Sequence, residues 1–580
     1  MELNMQRIDS GTTASNGVST GRRPNTSPIG HVGFAVAEAL YSLDAAICFG
    51  VSGSTNYYVC EALERLGVRY IAAGHECNAI AMADAFARHS GRLTLASVHA
   101  GPGLTNAITA IAEAAKARTP LLVLAGDVAV GDVLSNFHID QDALVRSVGA
   151  VPERLGSAAS AVEDVVRSCE KAIRERRTVV LSMPQDILQS PAPPVAIRLL
   201  ERQPPAEPDS GLVQEVAQRL VAAKRPLILA GRGAVIADAG QILGQLAAEV
   251  DALLATTARA HGLFANEPWS VGIMGGFSPP AMAELIRQSD TVVGFGATFT
   301  HWTTQAGRLI ASDATVIQID SDVSRLGCQR GVDIALLGDA RVTAEKILRA
   351  AQELKRGGVK GWRNEMTATV LAAREGDLRS YADTSTTEFI DPRTLCIELD
   401  ALLPPERTIA NDGGHFQGWP PLYLTVPDAA AWSFAMSFSS TGLGLGTAIG
   451  AALAHPERLT VLCAGDGGFM MSLSDLQTAV NLKLRMCIVI FNDASYAAEV
   501  HEFGPLGYQT SIATFPVTDF AAIARGTGAA GTIVCMKADL ADLRQWVEQG
   551  CNGVYLVDAR INPDLTADWF SELLSQKHAP

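Results

Sequence analysis

Asp466 and Asp493 stand 27 residues apart, each just past an apolar run: 459–464 precedes Gly465-Asp466-Gly467-Gly468, and 486–491 precedes Asn492-Asp493. Carboxylate oxygens are the hard donors that Mg2+ takes alongside phosphate oxygens. Glycines let a backbone approach a diphosphate, and the free N–H groups of a helix start point at the anion. The spacing is that of one strand–helix–strand unit, with the helix expected over 474–484. Both carboxylates then leave adjacent strands at one sheet edge, where open parallel sheets bind ligands. A lone GDG tripeptide marks only a tight turn; the paired spacing makes it a candidate Mg2+–diphosphate site. A third carboxylate, Glu76, lies 390 residues upstream, after Gly74-His75 at the start of an Ala-rich helix. Taken alone, it reads as an acid well placed against a helix dipole.

The surrounding elements are those of parallel α/β layers. Apolar runs AAICFGV, RYIAA, LTLASV, PLLVLAGD and TVVLSMP alternate with the helical patterns VGFAVAEALYSL, YYVCEALERLG, NAIAMADAFARHSG and TNAITAIAEAAKA. A tight turn is expected at 99–103. A second block carries PLILAGRGA, ALLATTA, DTVVGFGA and TVIQIDSD, and a charged helical segment over about 344–384 leads to a third. That block holds RTIANDGG, LTVLCAGDGG, MCIVIFND and GVYLVDAR. The fold class is therefore α/β, with three doubly wound parallel-sheet domains over 29–195, 209–350 and 385–570. The stretch 191–208, with six prolines, reads as a linker. Residues 1–28, rich in Ser, Thr, Asn and Gly, read as a disordered arm, with a cleaved targeting peptide as the alternative.

Composition narrows the function classes. At 580 residues the chain exceeds one core, and 48% hydrophobic with 6% aromatic residues suits layers of aliphatic strands. A net charge of −15 argues against a nucleic-acid partner. No apolar run is long enough to cross a membrane. The ten scattered cysteines, without a CxxC pair, read as buried, reduced thiols of a cytoplasmic protein.

With these elements in place, Gly465–Asp493 resembles the signature of thiamine-diphosphate enzymes, and the resemblance covers nearly the whole ordered chain. It is nearest the acetolactate-synthase-like and 2-oxo acid decarboxylase-like branch. The first domain would then bind the cofactor's pyrimidine and the third its diphosphate and Mg2+. The resemblance implies that Asp466, Asp493 and the carbonyl of Ser495 bind the metal, with Asp493 standing where Asn is commonest. It implies that Glu76 bonds the aminopyrimidine, whose exposed nitrogen removes the thiazolium C2 proton. Gly101-Pro102-Gly103 with Asn106, and Arg118-Thr119-Pro120, match further family turns. Asp412-Gly413-Gly414-His415 resembles the turn that contacts the diphosphate, so Gly413 and His415 join Gly465, Gly467, Gly468 and Tyr496 as cofactor contacts. Ser440-Thr441-Gly442 aligns with the residue that bends the cofactor; Thr441 replaces the usual Ile, Leu or Met, with Gly442 beside it.

Three polar residues are candidates on the substrate side. Glu499, six positions past Asp493, coincides with an acid that decarboxylases use on the intermediate; a solvated surface Glu is the alternative. His138, in FHIDQ, sits where relatives place a substrate-facing Gln or His; otherwise it is a locally bonded loop residue. His99 precedes the GPG turn and points to the same cavity. Cys77 reads as a small buried helix residue. In acetolactate synthases the middle domain binds FAD, and Gly231-Arg232-Gly233 with Gly294-Phe295-Gly296 leaves FAD open here, although Thr298–Trp302 replaces the arginine-bearing segment usual after the second motif. The expected activity is carbon–carbon bond formation or cleavage on 2-oxo acids or diketones. Acetolactate-type carboligation leads, with decarboxylation and diketone cleavage as alternatives. A catalytically silent regulatory relative would lack Glu76 or the metal carboxylate. An NAD-type dehydrogenase needs GxGxxG, and GVSGST at 50 has the wrong spacing. The resemblance also implies a homodimer or homotetramer with the sites at its interface.

Overall fold

The computed structural model describes residues 30–45, 47–192, 197, 204–354 and 361–577. The expected arm lies outside these residues, as does much of the proline-rich linker. Three six-stranded sheets follow one another along the chain. The first contains β1 (Ile47–Gly50), β2 (Arg69–Ala72), β3 (Thr94–Val98), β4 (Leu121–Asp127), β5 (Val151–Arg154) and β6 (Thr178–Pro184). Their order is β2-β1-β3-β4-β6-β5. The second contains β7 (Pro226–Ala230), β8 (Leu253–Thr256), β9 (Ser270–Ile273), β10 (Thr291–Phe295), β11 (Thr315–Asp320) and β12 (Ile334–Leu337), in the order β12-β11-β10-β7-β8-β9. The third contains β13 (Arg407–Asn411), β14 (Trp432–Phe434), β15 (Leu459–Gly465), β16 (Met486–Asn492), β17 (Ala530–Val534) and β18 (Val554–Arg560). Its order is β14-β13-β15-β16-β18-β17.

Every strand pair is parallel, and most crossovers are helical and cover a sheet face. Central strands are buried on both faces: every residue of β3, β4, β6 and β16 is buried, so each reads as an unbroken apolar run. The edge strands β5 and β17 are half-exposed and carry Pro, Glu and Thr, and the sequence pattern does not mark them. The charged segment expected over 344–384 contains two helices, Ala340–Glu353 and Glu365–Arg379.

The first and third domains share one core. Ile80, Met82 and Ile111 of the first pack in the same cluster as Ile449, Leu462 and Ile488 of the third. The contact is made by the helices Glu76–Ser90 and Gly444–Ala454. Two glycines allow it: a Cβ on Gly446 would lie 2.8 Å from that of Ala81, and one on Gly450 would collide with the carbonyl of Met82. Asp475 fastens the same seam near the start of the first helix. Its carboxylate accepts from the Gly74 amide (2.8 Å) and from Asn78 Nδ2 (2.6 Å).

Candidate active site

In the third sheet the chain reverses direction between β13 and β15, and their C-terminal ends form the crevice that such sheets use for ligands. The turn after β13 carries Gly413 and His415, and the end of β15 carries Gly465 and Asp466. Beside them, β16 ends on Asn492. The helix begins at Asp466 itself and runs to Ser472, followed by a 3-10 turn and a second short helix, Leu476–Asn481. The helix expected over 474–484 is thus the shorter second one, and the helix at Asp466–Ser472 is an addition the pattern did not mark. Gly467 and Gly468 are poor helix formers, but tertiary packing overrides that preference. The consequence is chemical, since the free N–H groups of a helix start now face the crevice directly.

A cavity of about 460 Å³ opens there. Gly413, His415, Thr441, Gly465, Asp466, Gly467, Gly468, Asp493, Ser495, Tyr496 and Glu499 all line it, and Gly442 lies just behind, its N–H donating to Asp412 (3.0 Å). A Cβ on Gly467 would lie 2.5 Å from the Tyr496 ring, so only glycine lets that ring close the wall.

Asp466 is buried, and Asp493, half-buried, stands beside it. Asp466 Oδ1 accepts from the Gly467 amide (2.7 Å), while Oδ2 is buried without a hydrogen-bond partner. Burial pushes the Asp466 carboxyl up to about 6, against the opposing pull of the Gly467, Ala494 and Ser495 amides. Asp493 is pushed higher, to about 8, by burial and then by the negative charge of Asp466. Its Oδ1 accepts from Ser495 Oγ (3.0 Å). Asn492, by contrast, turns inward to Asp558 (2.8 Å) and the Thr518 carbonyl (3.2 Å). The second residue of the pair is thus the one presented to the cavity. A buried carboxylate with an orphaned oxygen and a half-buried one next to it, beside a carbonyl-bearing turn, fit a hard divalent cation.

Two contacts differ from expectation. The His415 ring is turned toward the C-terminal segment, where Nε2 accepts from the Ala567 amide (2.9 Å) and the ring lies 4.4 Å from that of His501. Burial and then His501 push its pKa down to about 3, so the neutral acceptor form is the one held. Thr441 is paired with Met471, whose Sδ lies 3.8 Å from Thr441 Oγ1 and which also lines the cavity. Met471 belongs to no motif, yet it supplies the apolar bulk that Thr441 lacks.

Glu76 is elsewhere. It opens its helix after His75, whose Nδ1 accepts from the Cys77 amide (3.1 Å). Asn106 Nδ2 donates to Glu76 Oε2 (3.1 Å), and Gly103 approaches Oε1. The GPG turn is shorter than expected, because a helix already starts at Pro102. His99 contacts Ser54 Oγ (3.2 Å) and meets the Phe137 ring edge-on at 4.8 Å, which sets exposed His138 on the neighbouring loop. Every residue lining the 460 Å³ cavity belongs to the third domain; Glu76 and His138 are not among them. Cys77 is half-buried rather than buried, with its thiol pushed up to about 11 by burial. In the central domain a Cβ on Gly231 would collide with the Gly296 carbonyl, and the Gly233 amide donates to that carbonyl (3.0 Å). Gly231 and Gly233 thus pack against Gly296, while Gly294 abuts the Phe299 ring.

Three family profiles match this architecture domain by domain. The "Thiamine pyrophosphate enzyme, N-terminal TPP binding domain" matches residues 30–144, the central domain 213–347, and the C-terminal TPP binding domain 412–559. The chain belongs to the thiamine pyrophosphate (thiamine diphosphate) enzyme family and takes that cofactor. Among its relatives, a sulfoacetaldehyde acetyltransferase of Alcaligenes xylosoxydans xylosoxydans is 27% identical over 532 residues, covering 86% of this chain and 87% of its own. The acetolactate synthase isozyme 3 large subunit of Escherichia coli is 26% identical over 553 residues, covering 91% and 94%. A thiamine diphosphate-dependent 4-hydroxybenzoylformate decarboxylase of Rhodococcus jostii shares the fold, with a TM-score of 0.78 at 19% identity over 92% of this chain and 99% of that one. Among the described residues no helix is long and apolar enough to cross a membrane.

Proposed function

We propose that this enzyme uses thiamine diphosphate with Mg2+ to form or break a carbon–carbon bond beside the carbonyl of a 2-oxo acid or diketone. Acetolactate-type carboligation is the leading reaction, and decarboxylation or diketone cleavage the alternative. The observation that carries this reading is the Asp466–Asp493 pair, with the buried, orphaned oxygen of Asp466 at the edge of the cavity. A buried, uncompensated carboxylate costs several kcal/mol, and a divalent cation held there would remove that cost. Asp466, Asp493 and the Ser495 carbonyl hold Mg2+, and the helix start at Asp466 receives the diphosphate. When bound, thiamine diphosphate supplies the reactive carbon and the electron sink.

Glu76 governs proton placement at the pyrimidine end. Asn106 occupies Oε2, which leaves Oε1 to carry the proton shared with the ring nitrogen. Glu499, on the cavity wall, moves a proton to or from the substrate carbonyl carbon and oxygen. His138 and His99 face the substrate from the first domain. The cavity is walled by the third domain alone, which supports its closure by the first domain of a partner subunit. The working unit is then a two-fold homodimer, alone or paired into a tetramer. A silent regulatory role does not suit a chain that keeps both Glu76 and the metal carboxylates.

The test is incubation of the protein, loaded with thiamine diphosphate and Mg2+, with a panel of 2-oxo acids, diketones and sulfoacetaldehyde, the last from the name of a relative. Formation of an acetohydroxy acid supports carboligation, and carbon dioxide release without coupling supports the alternative. No turnover of any panel member by cofactor-saturated protein would refute the proposal.

A further inference from the structure

The loop 437–442 brings Thr441 to the wall of the 460 Å³ cavity, and its backbone is held there under strain. Ser439 adopts a left-handed φ of 60°, which crowds the Cβ of any residue but glycine, and Gly442 follows at 86°. Phe438, Ser439 and Thr441 are exposed, so the loop has little packing of its own. A carboxylate stands at each end. Asp412 accepts from the Gly442 amide (3.0 Å), and Glu113 Oε2 accepts from the Phe438 amide (2.6 Å). Glu113 belongs to the first domain, on the helix Pro102–Lys116, and is 325 residues from Phe438 in the chain. Further along that helix, Lys116 Nζ lies 5.5 Å from the centre of the Phe438 ring. Glu113 is buried, and its other oxygen accepts from Arg88 Nη2 (3.0 Å). Burial raises the Glu113 pKa, but Arg88, then Arg259, then the donors Ser437 and Phe438 hold the carboxyl below its ordinary range. Arg88 is already gripped through two nitrogens by Asp84, so the contact that only Glu113 makes is the one to the loop.

We propose that Glu113 is a positioning residue for the cofactor: by clamping the Phe438 amide it fixes the strained loop, and so sets where Thr441 meets bound thiamine diphosphate. The inference rests on the 460 Å³ cavity being the cofactor's site. Glu113 does not line that cavity, so it acts through the loop. An N–H bonded to an ionised acceptor is held more strongly than one bonded to a neutral oxygen. Gln at position 113 has one acceptor oxygen for two donors, and its NH2 then faces either the Phe438 N–H or the Arg88 guanidinium. Arg88 keeps Asp84 in that variant, so the fold survives while the loop loses its clamp. Once released, Ser439 leaves its left-handed conformation, and Thr441 no longer stands against Met471 in the wall. Cofactor binding must then restore an order that Glu113 supplies beforehand.

The experiment compares full-length wild type, Glu113→Gln and Asp84→Asn, the last weakening the same buried ion network away from the loop. Amide exchange of segment 435–443 is followed by mass spectrometry without cofactor, and thiamine diphosphate affinity is measured at saturating Mg2+. For Glu113→Gln the expected result is exchange faster, and cofactor affinity weaker, by at least about tenfold each, as loss of a charge-assisted hydrogen bond implies. Asp84→Asn should lower Tm yet leave both readouts near wild type. Should Glu113→Gln not fold, Glu113→Asp, one methylene too short to reach both Arg88 and the loop, is read in the same way. Unchanged exchange in the folded Glu113 variant, faster exchange with unchanged affinity, or equal losses in Asp84→Asn overturns the proposal. Loop exchange is read without cofactor, so its failure stands apart from failure of the cavity as the cofactor's site, which loss of binding in Asp466→Ala tests.

Discussion

Replacing Asp493 by Asn separates the two demands on this residue, because the cofactor-free protein tolerates its charge badly while the metal needs an oxygen. In the folded chain the Asp493 carboxyl is pushed up to about 8 by burial and by Asp466, whereas in an unfolded chain an aspartate titrates near ~3.9. A group raised in this direction contributes stability that is fully present below the unfolded pKa and is lost as pH rises toward the folded one. Across that window folding takes up about one proton, so wild type loses roughly 1.4 kcal/mol per pH unit relative to the variant. From pH 5.5 to 7.5 the advantage of Asp493→Asn in cofactor-free protein should therefore grow by about 2–3 kcal/mol. At roughly 2–4 °C per kcal/mol for a domain of this size, the gap in Tm widens by about 5–10 °C. Differential scanning fluorimetry of both proteins, stripped of metal and cofactor, reads this directly. Adding Mg2+ and thiamine diphosphate should then stabilise wild type more than the variant, since two carboxylates bind the cation better than one. A Tm gap that stays flat with pH would refute the reasoning that Asp493 is held protonated by its burial beside Asp466.

Three further outcomes are expected. Glu76→Gln should keep cofactor affinity while losing at least about a hundredfold in turnover, with proton–deuterium exchange at the thiazolium C2 slowed alongside; exchange at the wild-type rate speaks against Glu76. Asp466→Ala should abolish Mg2+-dependent cofactor binding in equilibrium dialysis, whereas Asp493→Asn should retain it; equal loss in the two variants contradicts the assigned roles. Mixing inactive Glu76→Gln with inactive Asp466→Ala under conditions of subunit exchange should restore about half the activity per mixed dimer by symmetry. No recovery after proven exchange would place both groups of one site on the same chain.

What the sequence displayed clearly was whatever burial makes uniform. β4, β6, β15 and β16 are enclosed on both faces, so nearly every residue in them is apolar and each stands out as a run. Asp466 and Asp493 were equally visible, because a carboxylate directly after such a run has few structural uses. Edge strands hid for the opposite reason: β5, Val151–Arg154, leaves one side in water and mixes Val with Pro, Glu and Arg. The helix at Asp466 was concealed by its own glycines, and Met471, which lies within it, was concealed too. The partner of Thr441 was therefore invisible until the chain was folded. Glu113 gave no pattern at all, since only the packing of the first and third domains brings it to the loop at Phe438.

The seam between the helices Glu76–Ser90 and Gly444–Ala454 bears on how such a chain can be inherited or rebuilt. Gly446 and Gly450 bring two backbones so near that no side chain fits between them, and Asp475 pins the same junction. A first domain borrowed from a relative with a bulkier residue at Ala81 or Ala85 would meet the Gly444–Ala454 helix as a wedge. The first and third domains are thus a single unit of exchange, although more than two hundred residues of chain separate them. Recombination that respects linkers alone would cut this unit in two; recombination that carries both helices together would leave it whole.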